Sequence, residues 1–158
     1  MAIYQVIHTP HQYYDQSAID DVVAYCLQER KTPQNLIFAR GVDPQYAASE
    51  MHDVAVAYEK NSGLRLRHSI LSFAPNENVS AAEAAEIAQE AINYYGDAYQ
   101  IISAVHEDTD DIHIHFVMNQ ISYVDGSRYR GKKSDYYQYQ KHLKKILSEN
   151  GIHKLIVD

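Results

Sequence analysis

Residues 106 to 119 read His-Glu-Asp-Thr-Asp-Asp-Ile-His-Ile-His-Phe-Val-Met-Asn and hold three of the nine histidines, His106, His113 and His115. His113 and His115 stand at i, i+2, a spacing that places two imidazoles side by side on one face of a β-strand. Ile112, Ile114, Phe116 and Met118 fall on the opposite face, which is apolar throughout. Neutral imidazole is the commonest metal ligand. Two such ligands from one strand and a third from the neighbouring segment leave a position on an ion for water or substrate, as a catalytic centre requires. A lone strand histidine is more often solvated or hydrogen-bonded within the fold. His106, seven residues before His113 and beside an acidic turn, tips the reading toward one divalent ion held by all three. Glu107, Asp108, Asp110 and Asp111 make that neighbourhood electronegative, which attracts a cation. Asp108 is the carboxylate expected to orient a ligand histidine. Asn119, on the histidine face, is a candidate to bond a substrate oxygen.

The elements that must position these groups follow from periodicity. Strands are expected at Ile3 to Ile7, Arg65 to Phe73, Tyr99 to His106 and Ile112 to about Ser122. Helices are expected from Ser17 to Gln28, from Ser49 to about Asn61, from Ser80 to Tyr95, and from Tyr136 to Asn150. Ser80 with Glu83 forms a capping-box pattern, and Gly63, Gly96 and Gly151 are stop signals. Lys31 to Pro44 reads as a connection containing an apolar patch, Leu36 to Ala39, and Asp125-Gly126 as a turn. The last two strands are joined by a short turn and should be antiparallel neighbours. The order predicts an α+β domain, an antiparallel sheet with helices packed on one face.

Composition sets bounds. A chain of 158 residues with 46% hydrophobic and 22% charged content fits one globular domain with a real core. No stretch approaches membrane-spanning length, so no membrane partner is expected. The single cysteine, Cys26, excludes an internal disulfide framework and suits a reducing cytosol; its apolar helical context reads as core. The net charge of −7 argues against nucleic acid, but the charge is segregated. From Ser127 to Lys145 there are seven basic residues, Arg128, Arg130, Lys132, Lys133, Lys141, Lys144 and Lys145, against one acid, Asp135. Tyr129, Tyr136, Tyr137 and Tyr139 are interleaved with them. Cations beside stacking rings are what single-stranded nucleic acid needs from a protein, although a solvated helix face with tyrosines packed inward has the same composition.

The pattern His-x-Asp-x-x-x-x-His-x-His-x-x-x-Asn, here His106, Asp108, His113, His115 and Asn119, resembles that of the plasmid mobilisation relaxases, the MOBP-like mobilisation nucleases among the HUH endonucleases. Further matches are Arg67-His68-Ser69-Ile70-Leu71-Ser72-Phe73 with Glu77 and Val79-Ser80, then Val23-Ala24-Tyr25 with Lys31-Thr32, and Asp125-Gly126-Ser127-Arg128-Tyr129. The resemblance covers nearly the whole chain. It implies the HUH endonuclease fold, with the histidines on a central strand. It implies nicking and rejoining of one DNA strand at a transfer origin through a 5′-phosphotyrosine, with magnesium or manganese as cofactor. Single-stranded DNA and accessory relaxosome proteins are the implied partners, and the bacterial cytoplasm the implied compartment. Tyr25 is the implied nucleophile, with Tyr13 and Tyr14 as the competing pair. Asp108 assists the catalytic histidines. Lys31, Asn119, Arg128, Arg130, Lys132 and Lys133 are the expected DNA contacts. Residues 1–158 are read as one nicking domain, either a minimal protein or a fragment of a longer one. Two other classes fit parts of the pattern. A metal-dependent hydrolase of a small substrate would have a closed pocket and no need of a tyrosine. An inactive single-stranded DNA-binding module would not need the complete histidine set.

Overall fold

The computed structural model describes residues 1–8, 13–28, 32–107 and 110–158. Lys31 and Asp108, singled out above, lie outside the described residues. The order is β1 (Ala2–Val6), α1 (Gln16–Cys26), β2 (Ile37–Arg40), α2 (Ala47–Ala57), β3 (Leu66–Phe73), α3 (Ala81–Ala91), α4 (Asn93–Gly96), β4 (Ile101–His106), β5 (His113–Asn119), α5 (Lys133–Glu149) and β6 (Leu155–Val157). The described strands form one six-stranded sheet ordered β2-β4-β5-β3-β1-β6. The histidine strand β5 is therefore central, paired antiparallel with β4 and with β3. This is the expected α+β architecture.

Three features depart from the expected elements. The patch read as part of a connection folds as edge strand β2, with Ile37 opposite Ala104 and Arg40 opposite Ile101. Four residues are too few for alternation to declare itself, so the pairing partner decides. β6 lies parallel to β1, with Ile3 opposite Ile156, which makes the sheet mixed rather than purely antiparallel. Helices also cover both faces rather than one. The face bearing Leu71, Val105, Ile114 and Phe116 packs under α3 and α5. The other face, with Leu66, Ile102 and Val117, packs under α1 and α2. Leu71 and Ile114 are fully buried, and each contributes about 1.5–3 kcal/mol from apolar burial.

Local signals explain the helices. The side chain of Asp15 accepts from Ala18 N at 2.8 Å and starts α1, whose Ile19, Val22, Val23 and Cys26 form one buried stripe. The capping box at α3 is realised in both directions: Glu83 N donates to Ser80 Oγ at 3.1 Å, and Ser80 N donates to Glu83 Oε2 at 2.9 Å. After β5 the Asp125-Gly126 turn closes with Gly126 at φ 72°, where a Cβ would lie 2.2 Å from the Tyr58 ring. Only glycine fits there.

Candidate metal centre and nucleophile

His106, the last residue of β4, lies directly opposite His113, the first residue of β5. His115 follows on the same face, opposite Ala104 on β4 and Ile70 on β3. Ring centroids are 4.1 Å apart for His106 and His115, 5.2 Å for His106 and His113, and 5.1 Å for His113 and His115. One ligand nitrogen from each ring lies within 4.8 Å of the other two. His106 and His115 are buried under α1, and His113 is half-buried at the mouth.

Each ring is oriented from behind. His113 Nδ1 donates to the carbonyl of Asp111 at 3.0 Å. His106 Nε2 donates to the carbonyl of Cys26 at 2.8 Å. A carbonyl only accepts, so both contacts fix the tautomer: His113 presents Nε2 as a lone-pair donor, and His106 presents Nδ1. His115 Nδ1 lies 2.8 Å from Nε2 of His68, which stacks on it with centroids 5.1 Å apart. His68 Nδ1 in turn meets the hydroxyl of Tyr13 at 2.9 Å. With His115 Nδ1–H donating to His68 Nε2, and His68 Nδ1–H donating to the Tyr13 oxygen, His115 Nε2 is the nitrogen that joins the trio. Burial, reinforced by the charge of His106, pushes the His68 pKa down to about 4, so His68 stays neutral. Burial pushes the Cys26 thiol up to about 12.

Tyr25 sits in the last turn of α1, 43% exposed. Its ring stands edge-on to His106 at 6.0 Å and to His115 at 5.9 Å. The contact between His106 and the Cys26 carbonyl explains the placement. The final carbonyls of a helix lack intrahelical partners, and here one of them is taken by a histidine of the trio, beside Tyr25. Tyr13 is in a different position. It is 3% exposed, and burial together with Cys26 pushes its pKa to about 12. Its hydroxyl serves His68. Tyr14 is exposed at the neighbouring turn.

The expected DNA contacts divide. Asn119 is buried, its Nδ2 donates to Met51 O at 3.2 Å and Gln100 Oε1 at 2.9 Å, and its Oδ1 accepts from Ile121 N at 3.0 Å. It holds the end of the histidine strand. The Arg128 guanidinium donates to the carbonyls of Leu64, Ser62 and Lys60 and ties down the α2–β3 connection. Arg130, Lys132 and Lys133 are exposed. The interleaved tyrosines mostly turn inward. Tyr139 is buried, and Tyr129 donates to Asp135 Oδ2 at 2.6 Å; Tyr137 is exposed. A cleft of about 490 Å³ runs beside this segment, lined by Tyr14, Arg67, Tyr129 and Arg130 among others, with Tyr13 in its wall.

His68 is the residue the sequence pattern left without a role. Alternation along β3 puts it on a face with Leu66 and Ile70. Only the β3–β5 register, with Ile70 opposite His115, reveals what it meets.

A family model described as "Relaxase: MobA/VirD2-like, nuclease domain" matches residues 25–152, from Tyr25 through the whole histidine trio. Among curated proteins, Protein rlx of Staphylococcus aureus is 29% identical over 110 residues, 70% of this chain and 34% of that protein. A second Protein rlx of Staphylococcus aureus is 30% identical over 95 residues, 60% of this chain and 28% of that protein. The group II intron-interrupted relaxase LtrB of Lactococcus lactis subsp. cremoris is 31% identical over 75 residues, 47% of this chain and 13% of that protein. The matches thus span about a third or less of the length of these relatives.

Proposed function

The chain belongs to the MobA/VirD2-like relaxase nuclease-domain family, and on that premise we propose that it nicks and rejoins one DNA strand at a plasmid transfer origin, with Tyr25 as nucleophile. The observation that carries this reading is the seat of Tyr25, an exposed hydroxyl-bearing ring held against His106 and His115 at the edge of a three-imidazole cluster. In the reaction, the Tyr25 oxygen attacks phosphorus in line, the phosphorus–O3′ bond breaks, and the 5′ phosphate stays on the tyrosine. The proton lost from Tyr25 is matched by one taken up at the 3′ oxygen. The phosphodiester bond energy is retained in the phosphotyrosine, so the 3′ hydroxyl can reverse the step.

The donor set fits a divalent ion. His106, His113 and His115 bring one nitrogen each within 4.8 Å of the others, and backbone carbonyls fix two of the three tautomers. Bound there, magnesium or manganese would polarise the phosphate oxygens and offset the charge that grows on them. Asp111 supplies the carbonyl that turns His113 toward the cluster, and His68 orients His115. Asp108 remains the proposed carboxylate partner of the trio, and Lys31 a proposed phosphate contact beside Tyr25.

The DNA strand is proposed to leave the site along the cleft bearing Tyr14, Arg67, Tyr129 and Arg130. Lys132 and Lys133 follow at the start of α5, directly after Gly131 in the cleft wall. Two lysines at the positive end of a helix dipole work against stability, by about 0.3–1 kcal/mol each; an anionic ligand accounts for their presence. This cationic segment begins beyond Asn119, about 20 Å along the strand from His113, so it would hold DNA flanking the scissile phosphate. The proposed partners are single-stranded origin DNA and accessory proteins of the transfer complex, in the bacterial cytoplasm. Among the described residues no helix is long and apolar enough to cross a membrane. The test is direct. The protein is incubated with single-stranded DNA from its own plasmid and manganese, then run on a denaturing gel, and the modified residue is mapped by mass spectrometry. A covalent adduct on tyrosine is the expected result; strand cleavage without any adduct, or no cleavage of any origin strand, overturns the reading.

A further inference from the structure

Cys26, His68 and His115 form a second trio behind the first. All three are buried, at 1%, 7% and 4% exposure, and their ligand atoms lie within 4.8 Å of one another. Cys26 Sγ is 3.8 Å from His68 Nε2, and that nitrogen is 2.8 Å from His115 Nδ1. A tetrahedral ion with metal–sulfur bonds near 2.3 Å and metal–nitrogen bonds near 2.05 Å requires sulfur–nitrogen separations of about 3.5 Å and nitrogen–nitrogen separations of about 3.3 Å. The two distances miss those values by about half an ångström or less, in opposite senses, and a small shift of the His68 ring away from His115 and toward Cys26 brings both closer to them.

We propose that Cys26, His68 and His115 constitute a second cation site, selective for thiophilic ions of the zinc class, whose occupation excludes an ion from the His106, His113 and His115 trio. Selectivity follows from the donors. One thiolate and two imidazoles suit zinc or copper(I), whereas magnesium and manganese prefer oxygen. Exclusion follows from proton placement on the shared residue. His115 serves the outer trio through Nε2 only while its hydrogen sits on Nδ1 and points at His68. An ion between Cys26, His68 and His115 needs the Nδ1 lone pair, so that hydrogen moves, by way of solvent, to Nε2. The Cys26 S–H proton leaves to solvent, and nothing is oxidised or reduced. One neutral imidazole cannot give both nitrogens at once. The site itself stands independently of the nicking reading; only its inhibitory consequence rests on that reading.

The sequence contains one cysteine, which makes the test unambiguous. Metal-free protein is titrated with cobalt(II) and followed by absorption. The expected result is a near-ultraviolet sulfur-to-cobalt charge-transfer band that saturates at one equivalent and is independent of protein concentration. The band should vanish in Cys26→Ser, weaken at least tenfold in affinity in His68→Leu, and persist in the His106→Ala, His113→Ala double variant. In the nicking assay, zinc should suppress adduct formation supported by manganese. That suppression, taken relative to each protein's own zinc-free rate, should be relieved in Cys26→Ser. Absence of the sulfur band from the unsubstituted protein overturns the proposal without the need for any variant. A band that grows with protein concentration also overturns it, since two chains would then be sharing the ion. A band with no adduct under any ion leaves this site standing and removes the nicking reading; an adduct without the band does the reverse.

Discussion

The ring of Tyr25 meets the ring of His115 edge-on, with centroids 5.9 Å apart and planes at 74°. That contact belongs to the carbon framework of the tyrosine, while the hydroxyl belongs to the chemistry. Tyr25→Phe keeps the framework. Folding stability should therefore change by no more than about 0.5 kcal/mol, as for most exposed positions, while adduct formation falls at least ~10³-fold. Tyr13→Phe should do the opposite. It leaves His68 without its hydroxyl partner in a buried place, so it should cost about 1–3 kcal/mol yet still form the adduct. Chemical denaturation and a gel assay on both variants, with Tyr14→Phe alongside, decide the matter. Adduct surviving in Tyr25→Phe and lost in Tyr13→Phe or Tyr14→Phe would move the nucleophile to that pair.

The bond between His68 and His115 predicts that ion affinity is tuned from outside the ligand set. Removing a group that orients a ligand histidine typically costs 10–100-fold in affinity. His68→Leu keeps much of the volume and removes both nitrogens. Calorimetry with manganese should show a loss of that size, with binding still present at one equivalent. His113→Ala combined with His115→Ala should abolish it altogether. Equal affinity in His68→Leu and the unsubstituted protein would reduce His68 to core filling.

How much of this could be read from the chain depends on distance along it. The alternation of Ile112 to Asn119, the His106 position and the capping box at Ser80 are local, and the structure keeps all of them. Strand β2 and the β1–β6 edge are not local. Ile37 to Arg40 and Leu155 to Val157 are too short to show a period and exist because a neighbouring strand offers a free ladder. The same division runs through the site. His106, His113 and His115 lie within ten residues of sequence and were legible together. His68 and the Cys26 carbonyl reach them across 47 and 80 residues, contacts that only sheet register and helix docking create. Asn119 shows the same from the other side: it stands on the histidine face by alternation, but the partners of its amide, Met51, Gln100 and Ile121, come from sheet and helix docking.

Arg128 and Arg130 are two residues apart and should answer a salt titration differently. Each phosphate contact on single-stranded DNA contributes about 0.7 to the slope of log affinity against log salt. Replacing the exposed Arg130, Lys132 and Lys133 with Gln should lower that slope by up to about 2 and weaken binding to all sequences alike. Arg128→Gln should leave the slope alone and instead destabilise the fold by about 1–2 kcal/mol, because three backbone carbonyls lose their donor. Fluorescence anisotropy across a salt series, paired with thermal unfolding, separates the two. An unchanged slope in the triple variant would make this segment a solvated surface and send the strand elsewhere.

The tyrosine-rich side of the molecule predicts an alkaline limit to stability. Tyr94 donates to Asp135 Oδ1 at 2.9 Å, and Tyr95 and Tyr129 donate to Oδ2 at 2.8 and 2.6 Å. Burial, reinforced by these bonds to a carboxylate, pushes Tyr94 and Tyr129 up to about 12, and Tyr95 well beyond the ordinary tyrosine range. Tyr139, on the buried face of α5, is pushed the same way by its enclosure. In the unfolded chain these hydroxyls ionise near the ordinary value of about 10. A group whose folded pKa is raised favours folding fully below its unfolded pKa, and that contribution is lost as pH rises through the folded pKa. Stability should thus be level up to about pH 10 and fall steadily from there through pH 12. Unfolding in denaturant at a series of pH values measures this directly. Asp135→Ala removes the shared acceptor, so at pH 8 it should cost about 1–3 kcal/mol. Because the carboxylate no longer opposes ionisation, the decline above pH 10 should be shallower than in the unsubstituted protein. A stability profile that stays flat to pH 12 in the unsubstituted chain would mean that these hydroxyls ionise in place, and that the Asp135 cluster does not hold α5 to α4 and Tyr129.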